Sequence, residues 1–317
     1  NMVSDNDGVI TGFLQLMAEA PEKFDMILSK DNPHYISLPG LSVLLGGMWV
    51  MNISYWGFNQ YIIQRGLAAK NIAEAQKGIV FAAFLKLLMP LIVVLPGIAA
   101  FSLNPGLEPA DKAYPTLMAL MPEGLKGLVF AALVAAIVSS LGSMSNSIST
   151  IFTLDVYSKF QYNRSQKHYV KVGRIVSLIA MVAAILTARP LLGELDQAFQ
   201  YIQEFTGFFT PGVVALFLLG MFWSKTTARG ALAAAIGSAI LSLLLKLLLP
   251  AIPFMDRVGF VFIACIALAA MVSLMDKRLD RSRAIKLGEI DFSTGSSYNI
   301  ATVAVSMILV AFYVTWW

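Results

Sequence analysis

Polar side chains interrupt long apolar stretches of the sequence, and their types could bind a polar solute. Asn52 and Tyr55 lie in SLPGLSVLLGGMWVMNISYWGFNQYIIQR, and Lys86 lies in FAAFLKLLMP. An amide or ammonium group inside a bilayer is costly unless it has a partner. The partner could be a hydroxyl of a bound solute, or a neighbouring helix that the side chain holds in place. For Lys86, a structural ion pair and snorkelling to the surface are further interpretations.

Glycine residues in the first of these stretches predict a broken helix. Gly46, Gly47 and Gly57 permit backbone conformations that interrupt a helix. Broken helices whose freed backbone groups face a polar solute recur in secondary transporters. The stretch is therefore a candidate binding segment rather than an ordinary span facing lipid.

A second polar segment, YIQEFTGFFTPG, precedes another predicted break, the Thr-Pro-Gly sequence at 210–212. Gln203 lies in this segment, and Phe199 and Tyr201 could close the outer mouth of a cavity. For Glu204, a structural ion pair is the favoured interpretation.

Two serines in AAIVSSLGSMSNS could bind a cation. Ser139 and Ser140 follow Ala136 by three and four residues, so one helix face could offer two hydroxyl oxygens and a backbone carbonyl. That set suits a weak site for a monovalent cation. Ordinary packing, with the hydroxyls bonded to carbonyls of the preceding turn, is favoured from these residues alone.

Arg65, at the inner end of the first stretch, is interpreted as snorkelling.

The composition excludes several classes of protein. Hydrophobic residues make up 57% of the 317 and charged residues 13%, against roughly 45–50% and 25% in soluble domains. There is one cysteine and no zinc-ligand spacing, which excludes a disulfide scaffold and a classical zinc site. No basic run is interleaved with aromatics, so we expect no nucleic-acid partner. Without paired carboxylates in one span, a nucleophile–base pair or a phosphate loop, an enzyme is the least favoured class.

A helix that spans a bilayer needs roughly 20 apolar residues, and the apolar stretches of this sequence reach that length. They predict an all-α polytopic membrane protein. A short amphipathic helix is predicted at 8–20 and another short helix at 109–121. Eight spans are predicted, at 38–60, 78–102, 125–150, 172–193, 198–223, 229–250, 258–275 and 298–317.

The placement of Lys and Arg predicts the orientation of these spans. Fifteen lie in one alternating set of loops and six in the other, with Lys86 and Lys246 inside spans. Because cytoplasmic loops carry the excess of basic residues, the first set is predicted to be inside. The N-terminal segment and the C-terminus are then predicted to lie outside a plasma membrane. Lys246 is interpreted as snorkelling.

Four runs carry a resemblance to a known family. The sequence YWGFNQYIIQRGLAAKNIAEAQKGIVFAAFLKLLMP closely resembles the bacterial sodium/galactose, or sodium/glucose-type, branch of the sodium/solute symporter family. AAIVSSLGSMSNS, YIQEFTGFFTPG and GMFWSKTTARGALAAAIGS are similar to the same family. The resemblance covers essentially the whole chain. It implies a leucine-transporter-type fold of two inverted five-helix repeats.

The resemblance also implies a domain plan. Residues 1–37 are an outer segment, 38–223 are five spans resembling the second repeat, and 224–317 are three additional C-terminal spans. The first repeat is expected on an N-terminal half of the same transporter, which fits the start at Asn1.

Roles for individual residues follow from the same resemblance, with the serine pair now expected to bind sodium. The implied sugar-binding positions are Asn52, Lys86 and Gln203, the gates are Tyr55, Trp56, Phe199 and Arg65, and the Na⁺ ligands are Ala136, Ser139 and Ser140.

The implied function is Na⁺-coupled symport of a hexose, galactose or glucose, by alternating access. The expected partners are therefore the sugar and the lipid bilayer, and Na⁺ is the co-transported ion. Two alternatives remain. One is Na⁺ symport of proline, inositol, sialic acid or a monocarboxylate, and the other is a membrane sensor or channel on the same scaffold.

Overall fold

The computed structural model describes residues 8–32, 34–36, 40–192, 198–276, 288 and 290–317, and this part of the chain is helical without β-strands. In a bilayer the backbone must satisfy its own hydrogen bonds, which long apolar helices do. The prediction of an all-α polytopic membrane protein is confirmed. The helices are α1 Val9–Glu19, α2 Leu41–Leu45, α3 Gly47–Ile53, α4 Gln60–Leu67, α5 Ile72–Lys86, α6 Leu95–Leu103, α7 Ala113–Ala119, α8 Glu123–Thr150, α9 Ser158–Phe160, α10 Gln166–Leu192, α11 Ala198–Gly207, α12 Thr210–Phe222, α13 Ala228–Leu248, α14 Phe254–Met275 and α15 Ser296–Thr315.

Six helical stretches in the described part are long and apolar enough to cross a bilayer. They are Ile72–Leu103, Glu123–Phe160, Gln166–Arg189, Ala228–Leu248, Phe254–Met275 and Ser296–Thr315. A seventh candidate is the pair α11 and α12, whose axes are bent by 47°. These seven correspond to the last seven of the eight predicted spans. The predicted short helices are also present, as α1 and α7.

The first predicted span, 38–60, is not one continuous helix, because it breaks where its glycines predict. Helix α2 ends at Gly46, and α3 continues into a π-helical turn, Ser54–Phe58, before Asn59 becomes extended. A β-carbon on Gly47 would collide with the backbone of Met255, so glycine lets α3 lie directly against α14.

The chain forms two compact units. The first comprises Asn1–Asn59, Gly66–Pro90 and Phe199–Trp317, and the second comprises Gln60–Arg65 and Leu91–Ala198. This grouping does not follow the order of the chain. The division into 1–37, 38–223 and 224–317 stays a prediction.

The core of the first unit lies among α12, α13 and α14, with α3 beside them. Its buried residues are small, and they allow close helix approach: Val50, Val214, Ala215, Ala234, Val258, Val261, Cys265 and Ala269. The core also supports the α11–α12 bend. The Ser238 hydroxyl donates to the Phe208 carbonyl at 2.8 Å and accepts from the Gly212 amide at 3.0 Å. Backbone groups released at the bend are thereby satisfied.

In the second unit, α8 packs against α10. A β-carbon on Gly173 would meet the Ser149 hydroxyl at 2.5 Å, and the Ser177 hydroxyl donates to the Ser145 carbonyl at 3.3 Å. These close contacts fix the long helix that carries Ala136, Ser139 and Ser140.

Candidate functional site

The first cluster of candidate residues forms where α5 ends beside the π-helical turn. The Lys86 ammonium lies 5.8 Å from the centroid of the Trp56 ring, within the range of a cation–π contact. Trp56 and Tyr55 meet edge to face, with ring centroids 5.4 Å apart. Both rings are about 40% exposed, Tyr55 at 39% and Trp56 at 42%. The cluster therefore offers one cation and two accessible aromatic rings.

Local sequence explains why Lys86 ends its helix. Pro90 has no amide hydrogen, so it cannot make the usual hydrogen bond to the carbonyl four residues earlier, which is that of Lys86. The chain continues through a π-helical turn, Pro90–Val94, before α6 begins. The end of α5 at Lys86 is therefore predictable from Pro90 in the sequence.

Asn52 lies at the end of α3, before the turn that carries Tyr55 and Trp56. Its amide nitrogen donates to the Met48 carbonyl at 2.9 Å. Its amide oxygen has no hydrogen-bond partner among the described residues. The residue is exposed, so this oxygen can accept a hydrogen bond from a solute.

Gln203 and Phe199 lie one helical turn apart on α11. Phe199 is 72% exposed at the start of the helix, and Gln203 is half-buried. Within the described residues, no hydrogen bond joins the Gln203 side chain to Asn52 or Lys86. The three expected sugar-binding residues thus lie in the same unit without direct bonds to one another.

Glu204 forms the ion pair that the sequence favours. Its Oε1 accepts from the Arg257 guanidinium at 2.6 Å, and its Oε2 lies 3.2 Å from the Lys246 ammonium. Lys246 also lies 5.7 Å from the centroid of the Phe208 ring, so it does more than extend to solvent. Sequence reasoning did not identify these partners, although a carboxylate and two cations near the predicted outer ends of three spans were a usable signal.

Arg65 is tied to α8 by side-chain bonds, which its interpretation as snorkelling did not include. Its guanidinium donates to the Ser143 hydroxyl at 2.7 Å, and that hydroxyl donates to the Ser139 carbonyl at 3.0 Å. A second bond joins Asn146 to Gln64 at 3.1 Å. Ser143 is a bridge that sequence reasoning missed, because only the fold places α4 beside α8.

The expected sodium ligands share one exposed face of α8, which is helical from Glu123 to Thr150. Ser143 and Thr150 donate to carbonyls four residues earlier, at 3.0 Å and 2.8 Å. The hydroxyls of Ser139 and Ser140 make no such bond within the described part of the chain. Neither do the hydroxyls of Ser145, Ser147 and Ser149, so the two candidate oxygens are available as ligands but are not singled out on this helix.

Comparison with known proteins identifies the family of the chain. The model of the sodium:solute symporter family matches residues 2–237. The chain is 46% identical to a sodium/glucose cotransporter of Vibrio parahaemolyticus, over all of this chain and 62% of that protein. It is 35% identical to a human sodium/myo-inositol cotransporter 2, over 73% of this chain and 38% of that protein. A Bos taurus sodium/myo-inositol cotransporter is 39% identical over 66% of this chain and 32% of its own length.

This chain thus spans about three fifths of the Vibrio cotransporter and a smaller share of the mammalian ones. Its spanning helices make it a multi-pass membrane protein. Since the family model covers well over half of its residues, the chain belongs to the sodium:solute symporter family.

Proposed function

We propose that the protein is a secondary active transporter, not an enzyme, that couples uptake of a hexose to Na⁺ by alternating access. The observation that carries the sugar part is the cluster of Lys86, Trp56 and Tyr55. An ammonium donates to sugar hydroxyls, and an exposed aromatic ring stacks against the apolar face of a sugar. The similarity to a sodium/glucose cotransporter favours galactose or glucose as the hexose.

The proposed sugar site combines groups from three helical segments. Asn52 supplies its amide oxygen, Lys86 supplies its ammonium, and Gln203 supplies a side-chain amide. Tyr55 and Trp56 close the inner side of the bound sugar, and Phe199 closes the outer side. The exposure of Phe199 and its position at the start of α11 support this role.

The proposed sodium site uses the hydroxyls of Ser139 and Ser140 and the Ala136 carbonyl. Their available oxygens on one helix face support it, as does family membership. Arg65 acts as an inner gate residue, and its bond through Ser143 to the Ser139 carbonyl favours coupling between the gate and the sodium site. Each charge that enters with the membrane potential contributes about 2.3 kcal/mol per 100 mV.

We propose that further helices outside this sequence complete both sites, because the similar Vibrio cotransporter is longer than this chain. These helices are expected on the N-terminal half of the same transporter. The excess of basic residues in one set of loops supports an orientation with the N-terminal segment and the C-terminus outside. The similarity to a Vibrio cotransporter favours the inner membrane as the location.

Uptake by purified protein tests the function directly. Liposomes containing the full-length protein are loaded with K⁺ buffer and exposed to radiolabelled galactose in Na⁺ or in K⁺. We expect accumulation above the external concentration only with an inward Na⁺ gradient. Equal uptake in the two salts would refute the coupling. Flux without accumulation would instead favour a channel, and binding without flux would favour a sensor.

Inositol is the second candidate substrate, because two of the similar proteins are sodium/myo-inositol cotransporters. A cyclic polyol presents hydroxyls like those of a hexose, and the same cluster could bind it. Competition of labelled galactose uptake by unlabelled glucose, myo-inositol, proline and lactate separates the alternatives. Strong competition by myo-inositol and weak competition by glucose would favour inositol.

A further inference from the structure

We propose that Glu204, Arg257 and Lys246 form a charge clamp that sets the orientation of α11 and thereby positions Gln203 for the sugar. The expected effect on sugar uptake rests on the proposed function. None of the three residues has a place in the proposed sugar or sodium sites. Glu204 is therefore a positioning residue, which acts through its neighbour.

Both oxygens of Glu204 are used, and they connect α11 to two different helices. Oε1 lies 2.6 Å from the guanidinium of Arg257 on α14, and Oε2 lies 3.2 Å from the ammonium of Lys246 on α13. A single pair would allow α11 to pivot about one contact. Two contacts from different directions fix the helix more closely.

The exposure of the three side chains shows which contact is stronger. The Arg257 side chain is 12% exposed, that of Glu204 is 23%, and that of Lys246 is 43%. A charge pair shielded from water is strongly affected when one partner is removed, because the other charge is left buried and unpaired. A more exposed pair contributes less. The Arg257–Glu204 contact is accordingly the main one, and Lys246 supports it.

The clamp matters because, within the described residues, the side chains of α11 pack little against the core. Helix α12 is anchored in the core by buried residues that include Pro211, Val214 and Ala215. By contrast, the apolar side chains of α11 are largely open: Phe199 is 72% exposed and Phe205 is 59%. The 47° bend between the two helices separates the anchored part from the open part. The clamp therefore restrains the helix that packing leaves open.

Orienting Glu204 also orients the candidate binding face of α11. Successive residues on a helix point about 100° apart, so the direction of Glu204 fixes the direction of Gln203. Phe199 and Gln203, four residues apart, share a face. With the clamp intact, the amide of Gln203 and the ring of Phe199 keep one orientation relative to α13 and α14.

The substitution Glu204→Gln tests the clamp with little change in shape. In Na⁺-driven galactose uptake by the full-length protein, we expect KM to rise about tenfold, which corresponds to about 1.4 kcal/mol, with the maximal rate little changed. Glu74→Gln is the matched control, because Glu74 pairs with Lys77 at an exposed site, where the side chains are 53% and 66% exposed. We expect no change in its KM.

A double variant separates positioning from general stability. If Glu204 acts through Gln203, then Glu204→Gln added to Gln203→Ala should leave KM at the value of Gln203→Ala alone. A charge swap that inverts all three side chains, Glu204→Arg with Arg257→Glu and Lys246→Glu, should restore KM to within about threefold of the parent protein, a difference of about 0.7 kcal/mol. An unchanged KM for Glu204→Gln, a fully additive double variant, or no rescue by the swap would each overturn the clamp.

Thiol labelling keeps the test independent of the substrate. Cys265 is the single cysteine of this sequence and is buried, so Phe199→Cys adds one accessible thiol to α11. The full-length protein without this substitution gives the background labelling rate, which is subtracted. We expect Glu204→Gln to change the maleimide labelling rate of this thiol several-fold, and the charge swap to reverse the change. Parent protein that transports no sugar would refute the proposed function alone, while equal labelling rates would refute the clamp.

Discussion

Replacing Ser140 with alanine tests the proposed sodium site most directly, because its hydroxyl, unlike those of Ser143 and Thr150, has no partner within the described part of the chain. The hydroxyls of Ser143 and Thr150 donate to carbonyls one turn earlier. That of Ser140 makes no such bond within the described residues, so the substitution removes an oxygen without breaking an internal hydrogen bond. The position is exposed, and alanine favours helix slightly more than serine, so the fold is expected to survive.

The expected effect on Na⁺ affinity follows from the chemistry of the lost oxygen. An oxygen that binds a cation is comparable to a hydrogen bond to a charged group, which contributes about 1.5–3 kcal/mol. Each 1.4 kcal/mol is a factor of ten. The half-saturating Na⁺ concentration should therefore rise about 10- to 100-fold. By linkage, Na⁺ at the parent's working concentration should then tighten sugar binding less.

The assay is initial galactose uptake into proteoliposomes at increasing Na⁺, with choline holding the ionic strength constant. Thr150→Ala is the matched control, because it removes a hydroxyl from the same helix that is already bonded to the Asn146 carbonyl. We expect its Na⁺ dependence to match the parent protein. If the Na⁺ dependence of Ser140→Ala also matched that of the parent protein, Ser140 would not be a sodium ligand. The assignment of this face of α8 as the sodium site would then fail.

Three further substitutions, and one control, test other parts of the structure. Lys86→Met removes the ammonium beside the aromatic pair, and we expect the KM for galactose to rise at least about tenfold in the uptake assay. Ser238→Ala leaves a carbonyl and an amide at the α11–α12 bend without their partner, which should cost about 1–3 kcal/mol of stability and lower the melting temperature in detergent. Gly47→Ala should also lower the melting temperature, because the new β-carbon meets the Met255 backbone, whereas Gly57→Ala enters open space and should not. Unchanged melting for Ser238→Ala or Gly47→Ala would contradict the packing described for them.

The sequence predicts the helices and their breaks well, because both depend on local features. Apolar length alone locates the spanning helices, since few other structures can cross a bilayer. The break after Gly46 and the bend before Pro211 follow from residues that disturb helices wherever they occur. The amphipathic pattern also locates α1, whose bounds of Val9–Glu19 fall within the predicted 8–20.

Contacts between distant residues are what the sequence does not predict. Glu204 pairs with Arg257, which lies 53 residues later, and Arg65 reaches Ser143 across 78 residues. No periodicity or motif in the sequence indicates that residues at these separations are in contact. The roles of Asn52 and Gln203 have the same limit, because a binding residue is defined by what surrounds it in space. For these residues, family resemblance supplied the expectation and the contacts supply only its support.

The structure separates rigid support from the residues expected to move during transport. Within the first unit, α3, α12, α13 and α14 bury small residues against one another, and such dense packing resists deformation. Apart from Asn52 on α3, the expected sugar and gate residues of this unit lie at the margins of that core, at the end of α5, on the π-helical turn and on the open helix α11. Elements with few buried contacts open at a lower free-energy cost than the core. An alternating-access cycle needs both properties, because a site must keep its geometry while its gates change position. The Glu204 charge clamp lies where these two requirements meet, since its ion pairs tie the open helix α11 to α13 and α14 in the rigid core.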